Sequence, residues 1–167
     1  MPATYEPIAS TTLGSTAASH TFSSIPGTFT DLVIVAVVQS NRSGSVDGGC
    51  IQFNSDTGSN YSITRLAGSG TAASSDRQTS ATSPIVRIAG DSASAATPVI
   101  YQIQSYASTS VFKTGLVTSS ESLTLITKGV LLWRSTSAIT SVTLFPEVGP
   151  NFKAGSTFSL FGIKASA

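Results

Sequence analysis

Charge is scarce in this sequence: Asp, Glu, Lys and Arg make up 10% of its 167 residues, and the net charge is +1. Soluble domains usually carry ~25% charged residues. So small a net charge sets up no long-range field to gather nucleic acid or acidic lipid. The nine basic residues stand singly, with no run and no aromatic interleaving, so the reading excludes a nucleic-acid partner. Disorder is excluded on other grounds. Disordered chains combine low hydrophobicity with high net charge, whereas 40% of these residues are hydrophobic. Ser and Thr, roughly a third of the chain, take over the solubilising role that ions usually fill.

Cysteine and histidine are nearly missing too. Cys50 and His20 are the only ones, which rules out an internal disulfide and a His/Cys zinc site. No apolar run approaches the ~18 residues needed to span a bilayer, so no membrane partner is expected. The start, Met1-Pro2-Ala3-Thr4-Tyr5-Glu6, has neither a basic segment nor an apolar h-region, and the expectation is a cytoplasmically made protein without an export signal.

A helical i, i+3, i+4 stripe free of β-branched residues is also lacking. What is present has a period of two. Val99, Tyr101 and Ile103 alternate with Ile100, Gln102 and Gln104; Ile51 and Phe53 alternate with Gln52 and Asn54; Val142 and Leu144 alternate with Ser141 and Thr143. Further strands are expected at Thr4 to Leu13, His20 to Ile25, Ile85 to Ala89, Val111 to Thr118, Leu123 to Lys128, Val130 to Arg134 and Thr157 to Lys164. Pro7 places the first of these at an edge or bulge. A short helical turn within Asn60 to Gly68 is the one tolerated exception, and Ser69 to Ser83 reads as a long loop. Turn signals recur at intervals of about ten residues, which predicts a sandwich of about eight to ten strands. The expected architecture is a single all-β domain over 1–167, a jelly-roll-like antiparallel β-sandwich with an N-terminal arm at 1–14.

Two segments are too apolar for strands with one wet face: Leu32 to Val38 and Val130 to Trp133. Unbroken apolar runs belong where both faces are covered. One side fills the core, and the other needs a loop, the N-terminal arm or another subunit. Leu32, Ile34, Ala36, Val38, Leu131 and Trp133 are the candidate oligomer or capsid interface; Val35 and Val37 lie on the opposite side from Ile34 and Ala36.

Catalytic arrangements fail one by one. His20 has no G-x-S-x-G partner motif. Cys50 has no nearby base to lower its pKa and reads as a buried thiol packing like a small hydrophobe. Glu6, Glu121 and Glu147 are far apart in sequence, and nothing favours a glycosidase pair among them. The run Asn54-Ser55-Asp56-Thr57-Gly58-Ser59-Asn60 resembles the start of a calcium loop. Counting from Asn54, however, Ser59 stands where Gly is needed and Arg65 where a bidentate Glu is needed. Asx and Gly turn chemistry accounts for the run. Asn41-Arg42-Ser43 and Asn60-Tyr61-Ser62 match the glycosylation sequon by chance in so Ser-rich a chain. No catalytic residue, cofactor or metal is therefore expected.

Several stretches together resemble a group of small structural proteins of tailed bacteriophages. They are Ile8-Ala9-Ser10-Thr11-Thr12-Leu13; Phe22-Ser23-Ser24-Ile25-Pro26 with Thr28-Phe29-Thr30-Asp31-Leu32; Phe53 to Ser62; Trp133 with Ala138 to Leu144; and Asn151-Phe152 with Gly155 to Lys164. The resemblance covers nearly the whole chain in patches and departs at Phe161, where a Tyr is expected. It implies a virion component assembled in the host bacterial cytoplasm. In that setting the expected role is a capsid decoration or cement protein, a symmetric homotrimer docked on the major capsid protein or another virion protein. The alternative is a tail-fibre or baseplate adhesin domain that presents Tyr61, Tyr101 or Tyr106 to host surface glycan. The chain lacks the coiled coil, β-helix or collagen-like stalk of a complete fibre, which favours the capsid role.

Overall fold

The structure, a computed structural model, describes residues 4–121 and 124–164. Among them twelve strands form, more than the eight to ten expected. These are β1 (Tyr5–Thr12), β2 (His20–Phe22), β3 (Asp31–Val38), β4 (Val46–Phe53), β5 (Tyr61–Gly68), β6 (Ala73–Ala81), β7 (Ile85–Ala89), β8 (Thr97–Gln104), β9 (Lys113–Glu121), β10 (Leu125–Trp133), β11 (Val142–Pro146) and β12 (Thr157–Ile163). They pair into an eight-stranded sheet, β1-β12-β3-β8-β9-β10-β5-β6, and a four-stranded sheet, β2-β11-β4-β7. All strand pairings are antiparallel, and the two sheets pack as a β-sandwich.

The core lies where the small sheet faces the middle of the large one. Leu32, Ile34, Ala36 and Val38 of β3 meet there with Val99, Tyr101 and Ile103 of β8, Leu131 and Trp133 of β10, and Ile51, Phe53, Val86, Ile88, Val142 and Leu144 of the small sheet. All six residues expected at an outer interface, Leu32, Ile34, Ala36, Val38, Leu131 and Trp133, are therefore core residues, none more than 2% exposed. Periodicity defines two sides of a strand but does not say which side the second sheet covers. The opposite side carries Val33, itself covered and only 4% exposed, with Val35 and Val37 on β3, and Val130 and Leu132 on β10.

Three local expectations change for physical reasons. Asn60 to Gly68 carries no helical turn: Tyr61 and Ile63 are buried while Thr64 and Leu66 are exposed, a two-residue period that makes β5. Part of the expected loop Ser69 to Ser83 is the edge strand β6, hydrogen-bonded to β5 and wet over most of its length, so no hydrophobic alternation marks it. The two strands expected on either side of Gly129 are one strand, β10. Gly129 faces inward, where a Cβ would meet Thr64 O at 3.1 Å and Val117 Cγ1 at 3.2 Å, so this glycine provides close packing and not a turn. Leu123, the expected start of the first of those strands, lies outside the described residues.

Tyr5–Thr12 of the expected N-terminal arm is edge strand β1, paired with β12, and its register shifts between Pro7 and Ala9. Proline cannot donate to the ladder, which explains an edge position with a bulge. Residues 1–3 of that expected arm lie outside the described residues.

One buried carboxylate pins the small sheet to the turn after β11. Asp47 is fully buried and accepts backbone N–H bonds from Gly48 (2.7 Å), Val148 (3.2 Å) and Gly149 (3.0 Å). Removing the acceptor orphans three donors, and a buried unsatisfied group costs ~1–3 kcal/mol. Asp47→Ala should lower the unfolding free energy by about 3 kcal/mol in urea titrations; a loss below about 0.5 kcal/mol, typical of a neutral surface change, would contradict this account.

Candidate functional site

The side chains considered for chemistry do not converge. His20, on β2, stacks on Phe158 with ring centroids 4.6 Å apart and meets Phe22 edge-on. Burial lowers its pKa, and its Nε2 has no hydrogen-bond partner. Cys50, on β4, is buried, and its thiol is pushed up to about 11 by desolvation. A hydrogen bond with Ser83 opposes that shift, while Glu147 and Asp47 add to it. So high a value leaves almost no thiolate at neutral pH, as expected of a packing thiol. Of the three glutamates, Glu6 on β1 pairs with Lys164 at 2.9 Å, Glu121 ends β9, and Glu147 follows β11. No element carries two of them.

The calcium-like loop is filled from within. Asp56 accepts the Trp133 indole N–H at 2.6 Å, the Gly58 backbone N–H at 2.8 Å and the Asn60 amide at 2.9 Å. Trp133 also stacks on Tyr61 at 6.3 Å and tilts against Phe53 at 5.5 Å. These bonds turn the Asp56 carboxylate toward protein donors, the opposite of what a cation ligand requires. Among the described residues no group of three or more His, Cys, Asp and Glu gathers as a metal site.

The tyrosines expected as a sugar platform are interior residues. Tyr61, Tyr101 and Tyr106 are each at most 1% exposed. The Tyr106 hydroxyl donates to the Pro26 carbonyl and accepts the Phe29 N–H, fastening the loop before β3.

The outer side of the large sheet is the candidate functional surface. Strand register aligns its side chains in rows across the sheet. One row runs Val33, Gln102, Leu116, Val130, Thr64; the next runs Val35, Ile100, Thr118, Lys128, Leu66. Val37, Ile100, Leu116, Ile126, Val130 and Leu66 are between 38% and 65% exposed. Single exposed hydrophobics are ordinary, whereas a contiguous set on one sheet face marks an interaction surface. Lys128 is the one charged side chain within these two rows. Sequence reasoning located both over-apolar strands but not Leu66, Ile100, Leu116 or Ile126. Each of these alternates with inward residues, and only strand order brings them together.

No protein-family model matches the sequence, and no curated protein matches it.

The Asp56 environment has a pH consequence. Burial alone would raise its pKa, but the hydrogen bonds from Trp133, Asn60 and Gly58 outweigh it, and the carboxyl lies below its usual value of ~3.9. A depressed folded pKa stabilises the protein above the unfolded value, and the contribution is lost as pH falls through the folded one. Unfolding free energy should therefore drop more steeply as pH falls below about 4 in the wild type than in Asp56→Asn. Parallel pH profiles for the two proteins would show that this carboxylate is not held by those bonds.

Proposed function

We propose that the protein is a non-enzymatic structural component of a bacteriophage particle, a capsid decoration or cement protein that binds and stabilises the shell as a symmetric homo-oligomer. The exposed apolar outer face of the eight-stranded sheet carries this reading. Eight strands about 4.8 Å apart and about 25 Å long present roughly 900 Å² on that side, and a stable interface takes ~800 Å² from each partner. The occupant we assign is a neighbouring copy of the same chain, in a trimer. At a net charge of +1, copies crowd together without strong repulsion. Burying one large side chain contributes ~1.5–3 kcal/mol, so three or four offset much of the ~4–15 kcal/mol cost of association. Repetition by symmetry then converts weak contacts with the major capsid protein into firm attachment.

Two further features support the reading. Early strands pair with late ones in nested fashion, β1 with β12, β2 with β11 and β5 with β10, as when an antiparallel ribbon rolls into a jelly roll. The patchwise resemblance to tailed-phage structural proteins points to the virion. The adhesin alternative has lost the tyrosine platform on which it was built.

The test is rebinding to particles stripped of the protein, viewed by electron microscopy. The variant Leu116→Asp/Val130→Asp places charge only on the outer face and should stay folded, with rebinding reduced at least about tenfold. Ile34→Asp, in the core, should unfold the domain. Rebinding of the outer-face variant at wild-type level would refute the assignment.

A further inference from the structure

A sheet ends in a row of unpaired N–H and C=O groups, and a long open edge invites another strand. Three of the four edges in this molecule are closed. On β1, Pro7 and the register shift beside it interrupt the ladder. The edge strand β2 is only three residues long. Both ends of β7 are capped. Arg65 and Gln78 bond the Ile85 carbonyl and N–H; the Ala89 carbonyl accepts the Ser40 N–H, and the Ala89 N–H donates to Thr97 Oγ1, each at 2.9 Å. Strand β6 differs. It is nine residues long, contains no proline and ends the eight-stranded sheet, pairing only with β5 among the described residues.

The regular part of β6 is Ala73 to Gln78. Its bulge is confined to Thr79 and Ser80, where Ser80 takes a φ of 53°. Ala73, Ser74, Ser75, Asp76 and Arg77 are all exposed. Pairing with β5 fixes their sides. Asp76 meets Arg65 on the inner side through two bonds, so Ser74 and Gln78 lie inward as well. Ala73, Ser75 and Arg77 lie on the outer side, Ser75 opposite Leu66 and Arg77 opposite Thr64.

This edge matches a second copy of itself in one register. A two-fold axis normal to the sheet keeps inner side with inner side, so the pairing must centre on a residue. Centred on Asp76 or Arg77, it would set like charges face to face, which destabilises a pair. Centred on Gln78 or beyond, it would run through the bulge; centred on Ser74 or Ala73, it would pair at most three residues of each strand. Centred on Ser75, it pairs Ala73 to Arg77, five residues from each copy. Ser75 then faces its own equivalent, and Ala73 faces Arg77. Ser74 faces Asp76, whose carboxylate holds Arg65 and keeps lone pairs for a hydroxyl. We propose that β6 pairs antiparallel with β6 of a second copy about Ser75, joining two eight-stranded sheets edge to edge. So short a contact buries far less than the ~800 Å² per partner of a stable interface, and in free solution it is transient. It becomes firm where copies are held side by side. The pairing uses an edge that the sheet-face association proposed above leaves free, and does not rest on it.

Cross-linking with a short bismaleimide tests the register. Ser75→Cys places two thiols about 5 Å apart across the pair, within reach of the reagent. In Ala73→Cys or Arg77→Cys the equivalent thiols stand roughly 13 Å apart, out of its reach, so these exposed positions serve as controls. Cys50 is buried, and the wild type is the blank. Ser75→Cys should form covalent dimers at least about tenfold faster than either control, and Ala73→Cys mixed with Arg77→Cys should cross-link faster than each alone. Adding Ser74→Asp to Ser75→Cys puts a carboxylate opposite Asp76 and should slow the reaction several-fold, whereas adding Ser74→Lys should not. The same pattern is expected in the Val130→Asp background, which separates this edge contact from association through the sheet face. Equal rates from positions 73, 75 and 77, or equal effects of Ser74→Asp and Ser74→Lys, would overturn the proposal.

Discussion

A sheet of eight strands has two faces, and a partner sheet of four covers only part of one. Most of what is distinctive in this molecule follows from that mismatch. Where the small sheet lies, the large sheet is dry and closely packed, with β3, β8 and β10 contributing its largest apolar side chains. Where the small sheet ends, Tyr61 and Ile63 of β5 still pack in the core, while Arg65 of β5 and Gln78 of β6 reach toward the edge of β7. On the far side of the large sheet, no described residue covers Val37, Ile100, Leu116, Ile126, Val130 and Leu66, the side chains on which the proposed interface rests.

Polar side chains manage the boundaries that the mismatch creates. Arg65 and Gln78 reach inward from β5 and β6 to cap Ile85 on the free edge of β7, so the small sheet is not left with an open strand there. At the other end of the large sheet, Pro7 and the register shift beside it blunt β1, and the Glu6–Lys164 pair ties it to the end of β12. Asp56 joins the turn after β4 to Trp133 on β10, linking the two sheets through one charge-assisted bond. With so few ions in the chain, several of those present hold a turn, an edge or a sheet contact.

Legibility in the sequence followed physical marking. A strand with one dry and one wet side, such as β8, could be read from alternation, and the edge position of β1 from its proline. Strand β6 could not, because both its sides meet water and its residues are small and polar. Gly129 reads as a break but sits in the core, since a glycine chosen for close approach looks the same in sequence as one chosen for a turn. The over-apolar segments marked β3 and β10 as strands with apolar side chains on both sides. They did not reveal which side faces the second sheet, so the interface set was placed on the core side.

We propose that the outer face of the large sheet is an interface between copies of this chain. Sedimentation equilibrium of the wild-type protein across micromolar to near-millimolar concentration tests it most directly. The account predicts reversible association to a defined oligomer, a trimer in the arrangement proposed, abolished by a single aspartate at Val130. Wild-type protein that stays monomeric throughout that range, with the Val130→Asp variant sedimenting identically, would contradict it.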